Sequence, residues 1–215
     1  MKVGVLGSGD VGRVLATAFL ASGHEVKLGT RHPDQSKVAE WKSKAGPKGS
    51  VGSFPQAAEF GEIAVLACLG VAAPEVIQAA GPLVFDGKVV IDVTNPLSFG
   101  PNGVPQLADL PSRSNGELIQ HLLPKARVVK ALNIIGNAHM FHPTFPGGPP
   151  DMFICGNDAA AKRTAEKILL EFGWPSVIDL GGIECSRELE SLCILRVKSA
   201  LRLGNWDIAF RLLRK

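Results

Sequence analysis

The 215-residue sequence predicts an α/β protein: a Rossmann-type, doubly wound, mainly parallel sheet followed by a C-terminal helical segment. Three observations carry that prediction. Short, β-rich apolar runs alternate along the chain with longer runs whose apolar residues recur every three or four positions. The first short run, "KVGVLG", passes into "GSGDVG" and then into a helical pattern. The runs "EIAVLACL" and "KVVIDVT" are apolar on both alternating faces, as strands covered on both sides of a parallel sheet must be.

Taken in order, residues 2–7 form a strand and 11–22 a helix that Gly23 ends. "HEVKLGT" is the second strand, "PDQSKVAEWKSKA" a helix, "GSVGS" a weak strand and "FPQAAEFG" a short helix. Residues 62–69 form a strong strand, 73–80 a helix and 88–94 another strong strand. The stretch 95–112 reads as a long loop rich in Pro, Gly and Asn; loops of that length in a compact domain usually have a function. "SNGELIQHLLP" follows as a helix with a capping box of Ser114 and Glu117. "RVVKALN" is a strand and 134–150 a second irregular loop. "DMFICG" is a strand, then comes a helix capped by Asn157 or Asp158, and "PSVIDLG" closes the sheet. Residues 184–215 read as a helical tail broken near Gly204. One domain is expected over 1–215, with 183–215 as a helical extension packed on it.

Composition sets limits. Hydrophobic residues make up 46% and charged residues 20% of the chain, which is ordinary for a globular protein. The 23 basic and 20 acidic residues are scattered, without the like-charged block of a nucleic-acid tail. No run approaches the roughly 18 apolar residues of a membrane span, and no cleavage site follows the first strand. The expectation is a cytoplasmic protein that binds neither nucleic acid nor membrane. Cys68, Cys155, Cys185 and Cys193 show no CxxC spacing and read as packing residues.

Gly7-Ser8-Gly9-Asp10-Val11-Gly12 fits G-x-G-x-x-G in the strand-to-helix setting that gives the motif its meaning. Gly7 would permit the tight turn, Gly9 the approach of a pyrophosphate, and Gly12 close packing of helix on strand. The free amides of the first helical turn would supply positive potential. An NAD site would end its second strand on an acid, which bonds the adenosine ribose. This chain has Gly29, Thr30 and Arg31 there. A hydroxyl and a guanidinium suit a phosphate dianion, so NADP(H) is favoured, with Lys37 one turn further on as a second charge. The plain alternative for Arg31 is a solvated loop cation.

Ligands in open α/β sheets lie beyond the carboxyl ends of the strands. The segments there are "CLGVAAP", "TNPLSFG", "NIIGNAHMF" and "GGIECSRELE". Leu69, in the first, would border the nicotinamide through its backbone; Thr94, Asn95 and Asn133 can orient an amide by hydrogen bonds. No catalytic triad order, metal spacing or lysine in a catalytic setting is visible, so no catalytic residue or metal ligand is assigned. Hydride transfer between two stacked rings needs position and exclusion of water more than a protein acid, whereas an alcohol dehydrogenase needs a proton donor or acceptor.

The blocks "KVGVLGSGDVGRVLATAFLASGHEVKLGTR", "KVVIDVTNPL", "SNGELIQHLLPKARVVKALNIIG", "DMFICGNDAAAK" and "SRELESL" resemble those of the NADPH-dependent reductases of the deazaflavin coenzyme. They are also similar to the cytosolic NADPH domain of six-transmembrane ferric reductases. The resemblance runs from residue 2 to about 190. It implies a hydride exchange between NADP(H) and a deazaflavin or flavin-type ring (the deazaflavin coenzyme, FMN or FAD) and a homodimer. It also assigns the pyrophosphate to residues 7–12 and the 2′-phosphate to Thr30 and Arg31. An NADPH-binding redox sensor and a reductase of a small imine or carbonyl compound stay open beside that reading.

Overall fold

The structure, a computed structural model, describes residues 1–100 and 103–215. Its centre is an eight-stranded sheet built from β1 (Lys2–Leu6), β2 (Glu25–Gly29), β3 (Gly49–Gly52), β4 (Ile63–Leu66), β5 (Val89–Asp92), β8 (Arg127–Lys130), β9 (Met152–Gly156) and β10 (Val177–Asp179). The spatial order is β3-β2-β1-β4-β5-β8-β9-β10. Every neighbouring pair is parallel up to β8; β9 then runs antiparallel to β8, and β10 parallel to β9. Successive strands are added on one side of β1 and then, from β4, on its other side, and this switch point opens the crevice where nucleotides bind in such sheets.

Helices cover both faces. On one lie α1 (Asp10–Ala21), α2 (Ser36–Lys44) and α6 (Ala159–Glu171), which bury Leu15, Phe19, Trp41, Ile168 and Leu169 against the strands. On the other lie α3 (Phe54–Phe60), α4 (Ala73–Ala80) and α5 (Asn115–Leu122), burying Phe54, Ala58, Ile77 and Ile119. Each large side chain so removed from water contributes about 1.5–3 kcal/mol before the entropy of ordering is subtracted. Val3, Val5, Val26, Leu28, Ala64, Leu66, Val90 and Val129 are all at most 1% exposed, which is why the strands read as unbroken apolar runs.

Helix starts follow the local chemistry. Ser53 and Gln56 form a full capping box on α3, with Pro at its start. Asp158 caps α6 by accepting from the Ala161 amide at 2.7 Å, while Asn157 accepts from the Ile183 amide instead. Ser114 caps α5, but its hydroxyl also donates to Glu117, so the reciprocal half of the predicted box is absent.

Three expectations are corrected. The stretch 95–112 is not structureless: Leu97–Phe99 (β6) and Pro105–Leu107 (β7) pair as an antiparallel ribbon, with residues 101–102 outside the description. Alternation over three residues is too brief to read as strand. The C-terminal helix α7 (Ser186–Leu203) stops at Gly204, which takes the left-handed conformation, and residues 205–215 are not helical. They run back over the molecule, where Arg196 donates to the Ile208 and Trp206 carbonyls and Asp151 pairs with the backbone of Phe210 and Leu212. Those contacts outweigh the helical apolar pattern of 206–213. Finally, β10 runs against the first strands, so "GGIECSRELE" does not leave the ligand end of the sheet; it comes back to the start of α5 through Ile183 and α7.

Candidate functional site

The loop between β1 and α1 is shaped by its outer glycines. Gly7 sits at φ +127°, and a Cβ there would strike the Ala67 carbonyl; a Cβ on Gly12 would strike the Gly7 carbonyl. Gly9 differs: nothing lies within 4 Å of where its Cβ would be. The protein itself therefore does not require glycine at position 9, whereas a ligand approaching the backbone there would. Gly9 is also the N-cap of α1, and no side chain caps that helix, so its first amides face outward unpaired by a cap. Asp10 turns sideways to Arg13, whose other nitrogen donates to the Ser8 carbonyl at 2.6 Å. Val11 packs partly against the core.

Beside this loop stands the end of β2. Thr30 is buried, and its hydroxyl accepts from the Ser8 hydroxyl at 2.9 Å and from the His32 amide at 3.2 Å. Its own proton stays free for an incoming oxygen. Arg31 has a side chain 53% exposed, and its guanidinium meets Glu75 of α4 at 3.1 Å. Lys37 is exposed in the first turn of α2. Ser8, Thr30 and Arg31 are thus brought together at one end of the crevice.

At the other end, Leu69 is 76% exposed just before the short 3-10 turn Gly70–Ala72. The Gly70 amide donates to the Asn95 carbonyl at 3.2 Å, and a Cβ on Gly70 would collide with that carbonyl, so the two strand-end loops touch. Asn95 and Asn133 are also joined. The Asn133 amide donates to Asn95 Oδ1 at 2.9 Å, and the Asn95 amide donates to the Asn133 carbonyl at 2.8 Å. Asn133 Oδ1 is buried without a partner among the described residues, an acceptor open to a further donor. Leu132, next to it, holds φ +60° although it is not glycine, a strained backbone at the edge of the candidate site.

Thr94 faces inward. Its hydroxyl donates to Asp92 at 2.7 Å and accepts from the Asn115 amide at 2.7 Å. It belongs to a buried ionic centre that sequence reasoning missed. Lys130, wholly buried, donates to Asp92 and the Thr94 carbonyl at 2.8 Å each and meets Glu190 of α7 at 2.7 Å. Glu190 in turn accepts from the Asn115 and Gly116 amides, satisfying the start of α5. Burial alone would lower the Lys130 pKa; Asp92 and Glu190 outweigh it and hold the ammonium above its ordinary range. The available signal was a lysine inside the apolar run "RVVKAL", which has no place in a doubly covered strand unless it is paired.

The thiols are not poised for reaction. Burial pushes Cys68 and Cys155 up to about 12 and Cys193 to about 11, and Cys185 is raised as well. Among the described residues no helix is long and apolar enough to cross a membrane.

The doubly wound sheet, the glycine loop and the polar end of β2 define a dinucleotide-binding protein. The family described as NADP oxidoreductase, coenzyme F420-dependent, matches residues 2–96. A crystal structure from Arthrobacter sp. FB24, provisionally named an F420-dependent NADP-reductase, is 35% identical and covers all of both chains at a TM-score of 0.93. The F420-dependent NADP reductase of Methanocaldococcus jannaschii is 26% identical over 92% of this chain and 91% of its own. Metalloreductase STEAP3 of Rattus norvegicus is 32% identical over 89% of this chain, which spans only 36% of that protein's length. The chain belongs to the F420-dependent NADP oxidoreductase family and is an NADP-dependent oxidoreductase.

Proposed function

We propose that the protein moves hydride between NADP(H) and a deazaflavin-type acceptor, working as a homodimer of single-domain subunits in the cytoplasm. The observation that carries this reading is the open space over Gly9 beside Thr30 and Arg31: a cradle for a pyrophosphate next to a hydroxyl and a guanidinium for a 2′-phosphate. The relatives named as F420-dependent NADP reductases supply the acceptor class.

The bound nicotinamide would supply the hydride. The chain's part is binding, orientation and exclusion of water. Gly7, Ser8, Gly9, Asp10, Val11 and Gly12 would lay backbone amides along the pyrophosphate, with the start of α1 adding positive potential. Thr30 would donate its free proton to the phosphate, Arg31 would pair with it, and Lys37 would add long-range attraction. Asn133 Oδ1 would accept from the carboxamide, while Asn95 fixes the Asn133 side chain and Leu69 covers the apolar edge. No side chain is assigned a proton, because hydride exchange between two rings can leave protons to solvent.

Mixing the purified protein with NADPH and, separately, coenzyme F420, FMN and FAD tests the proposal by following the nicotinamide absorbance. Oxidation with F420 and little with the flavins is the expected result. No oxidation with any of the three acceptors would sink it.

A further inference from the structure

The sequence places no acid at the end of β2, yet the fold delivers one to the same spot from another element. Glu75 lies in the first turn of α4 and meets the Arg31 guanidinium at 3.1 Å across the mouth of the crevice. Both side chains are open to water, 74% exposed for Glu75 and 53% for Arg31, so each can exchange its partner for a ligand. Arg31 offers its N–H donors along the edges of one plane, and a phosphate dianion that pairs with it must displace the carboxylate or share the guanidinium with it. Sharing places two anions against one cation, which raises the energy of the bound state.

We propose that Glu75 is a specificity-determining residue: it holds Arg31 in the free protein and sets how strongly the 2′-phosphate of NADP(H) is preferred, by competing for that guanidinium. The proposal rests on Arg31 as the phosphate reader. A cofactor without the 2′-phosphate leaves the Arg31–Glu75 pair in place, so Glu75 taxes one cofactor and spares the other. The pair is exposed and therefore weak, which is what such a role requires: a strong buried pair would exclude the phosphate altogether.

The test measures NADPH and NADH dissociation constants for the wild type, Glu75→Gln, Arg31→Ala and the double variant. Glu75→Gln is expected to tighten NADPH by roughly three- to tenfold at low salt and to change NADH by less than about twofold. Most of that gain should vanish in the Arg31→Ala background, and it should shrink at high salt. Unchanged NADPH affinity in Glu75→Gln, or equal tightening of both cofactors, overturns the role of Glu75 while leaving Arg31 intact as reader, provided Arg31→Ala still weakens NADPH selectively. Equal losses of both cofactors in Arg31→Ala overturn the reader and the competitor together.

Discussion

The two ends of the candidate site are held by opposite means. At the β2 end, Arg31 and Glu75 form one exposed ion pair, and Lys37 stands in water on its own flexible stem. At the end formed by β5 and β8, Asp92, Lys130 and Glu190 are removed from water, and each is tied to backbone or to a neighbouring side chain. Exposed pairs contribute about 0–1 kcal/mol and rearrange freely; a buried ammonium and its carboxylates cannot separate without leaving a charge in a low-dielectric interior. One end is built to exchange partners with a ligand and the other to keep Thr94, Asn115 and the strand ends in place.

The largest effect should come from breaking the buried centre. Lys130→Met leaves two carboxylates without their cation and is expected to cost about 3–5 kcal/mol in urea unfolding. Neutralising the partners as well, with Asp92→Asn and Glu190→Gln, should return part of that loss. A cost below about 1 kcal/mol for the single change would show that the centre is solvated and that the contrast fails.

At the exposed end, Arg31→Ala should leave stability nearly unchanged. NADPH binding should weaken by about 1.5–3 kcal/mol, the scale of a charged hydrogen bond, while NADH binding barely moves. Titration calorimetry with both cofactors decides it.

The glycine loop lies between these extremes and separates folding from binding. Gly12→Ala forces a methyl onto the Gly7 carbonyl and should destabilise by about 1–3 kcal/mol. Gly9→Ala meets open space and should stay within about 0.5 kcal/mol of the wild type. It should still lose on the order of tenfold in NADPH affinity, because its methyl would occupy the space proposed for the pyrophosphate. A Gly9→Ala protein that binds NADPH normally would remove the cradle from the argument.

The smallest effect is a pH dependence. Asp92 and Glu190 hold the folded-state pKa of Lys130 above the ordinary lysine value of about 10.4, against the pull of burial. Its contribution to stability is then fully present below about pH 10.4 and is lost as pH rises through the higher folded value. Urea midpoints of wild type and Lys130→Met should run parallel up to that pH and converge above it. Convergence beginning near neutrality would contradict the direction of the shift.

The exposed end was legible in the sequence because it is local: a glycine loop and a strand end 20 residues apart announce themselves by spacing. The alternation of strands and helices was legible for the same reason, since period depends on neighbours within a turn or two. The buried centre was not, because its members come from β5, β8, α5 and α7, and a lone Lys130 or Asp92 in an apolar run has no readable partner. Glu75 was hidden likewise, being an ordinary first-turn acid until the fold sets it beside Arg31. The reversal of β9 escaped notice because a buried strand has the same composition in either direction.

The route by which Lys130 acquires its second carboxylate bears on how the protein is made. Asp92 precedes the lysine in the chain, but Glu190 follows it by many residues, from the helix that completes the last layer. During synthesis, the sheet through β8 can assemble while the ammonium has only one counter-ion and the start of α5 has no carboxylate to cap it. The helix that closes the charge balance under the site is made only after every strand of the sheet. A chain stopped before residue 190 would carry the whole glycine loop, Thr30 and Arg31, yet would lack the anchor that fixes the other end of the crevice.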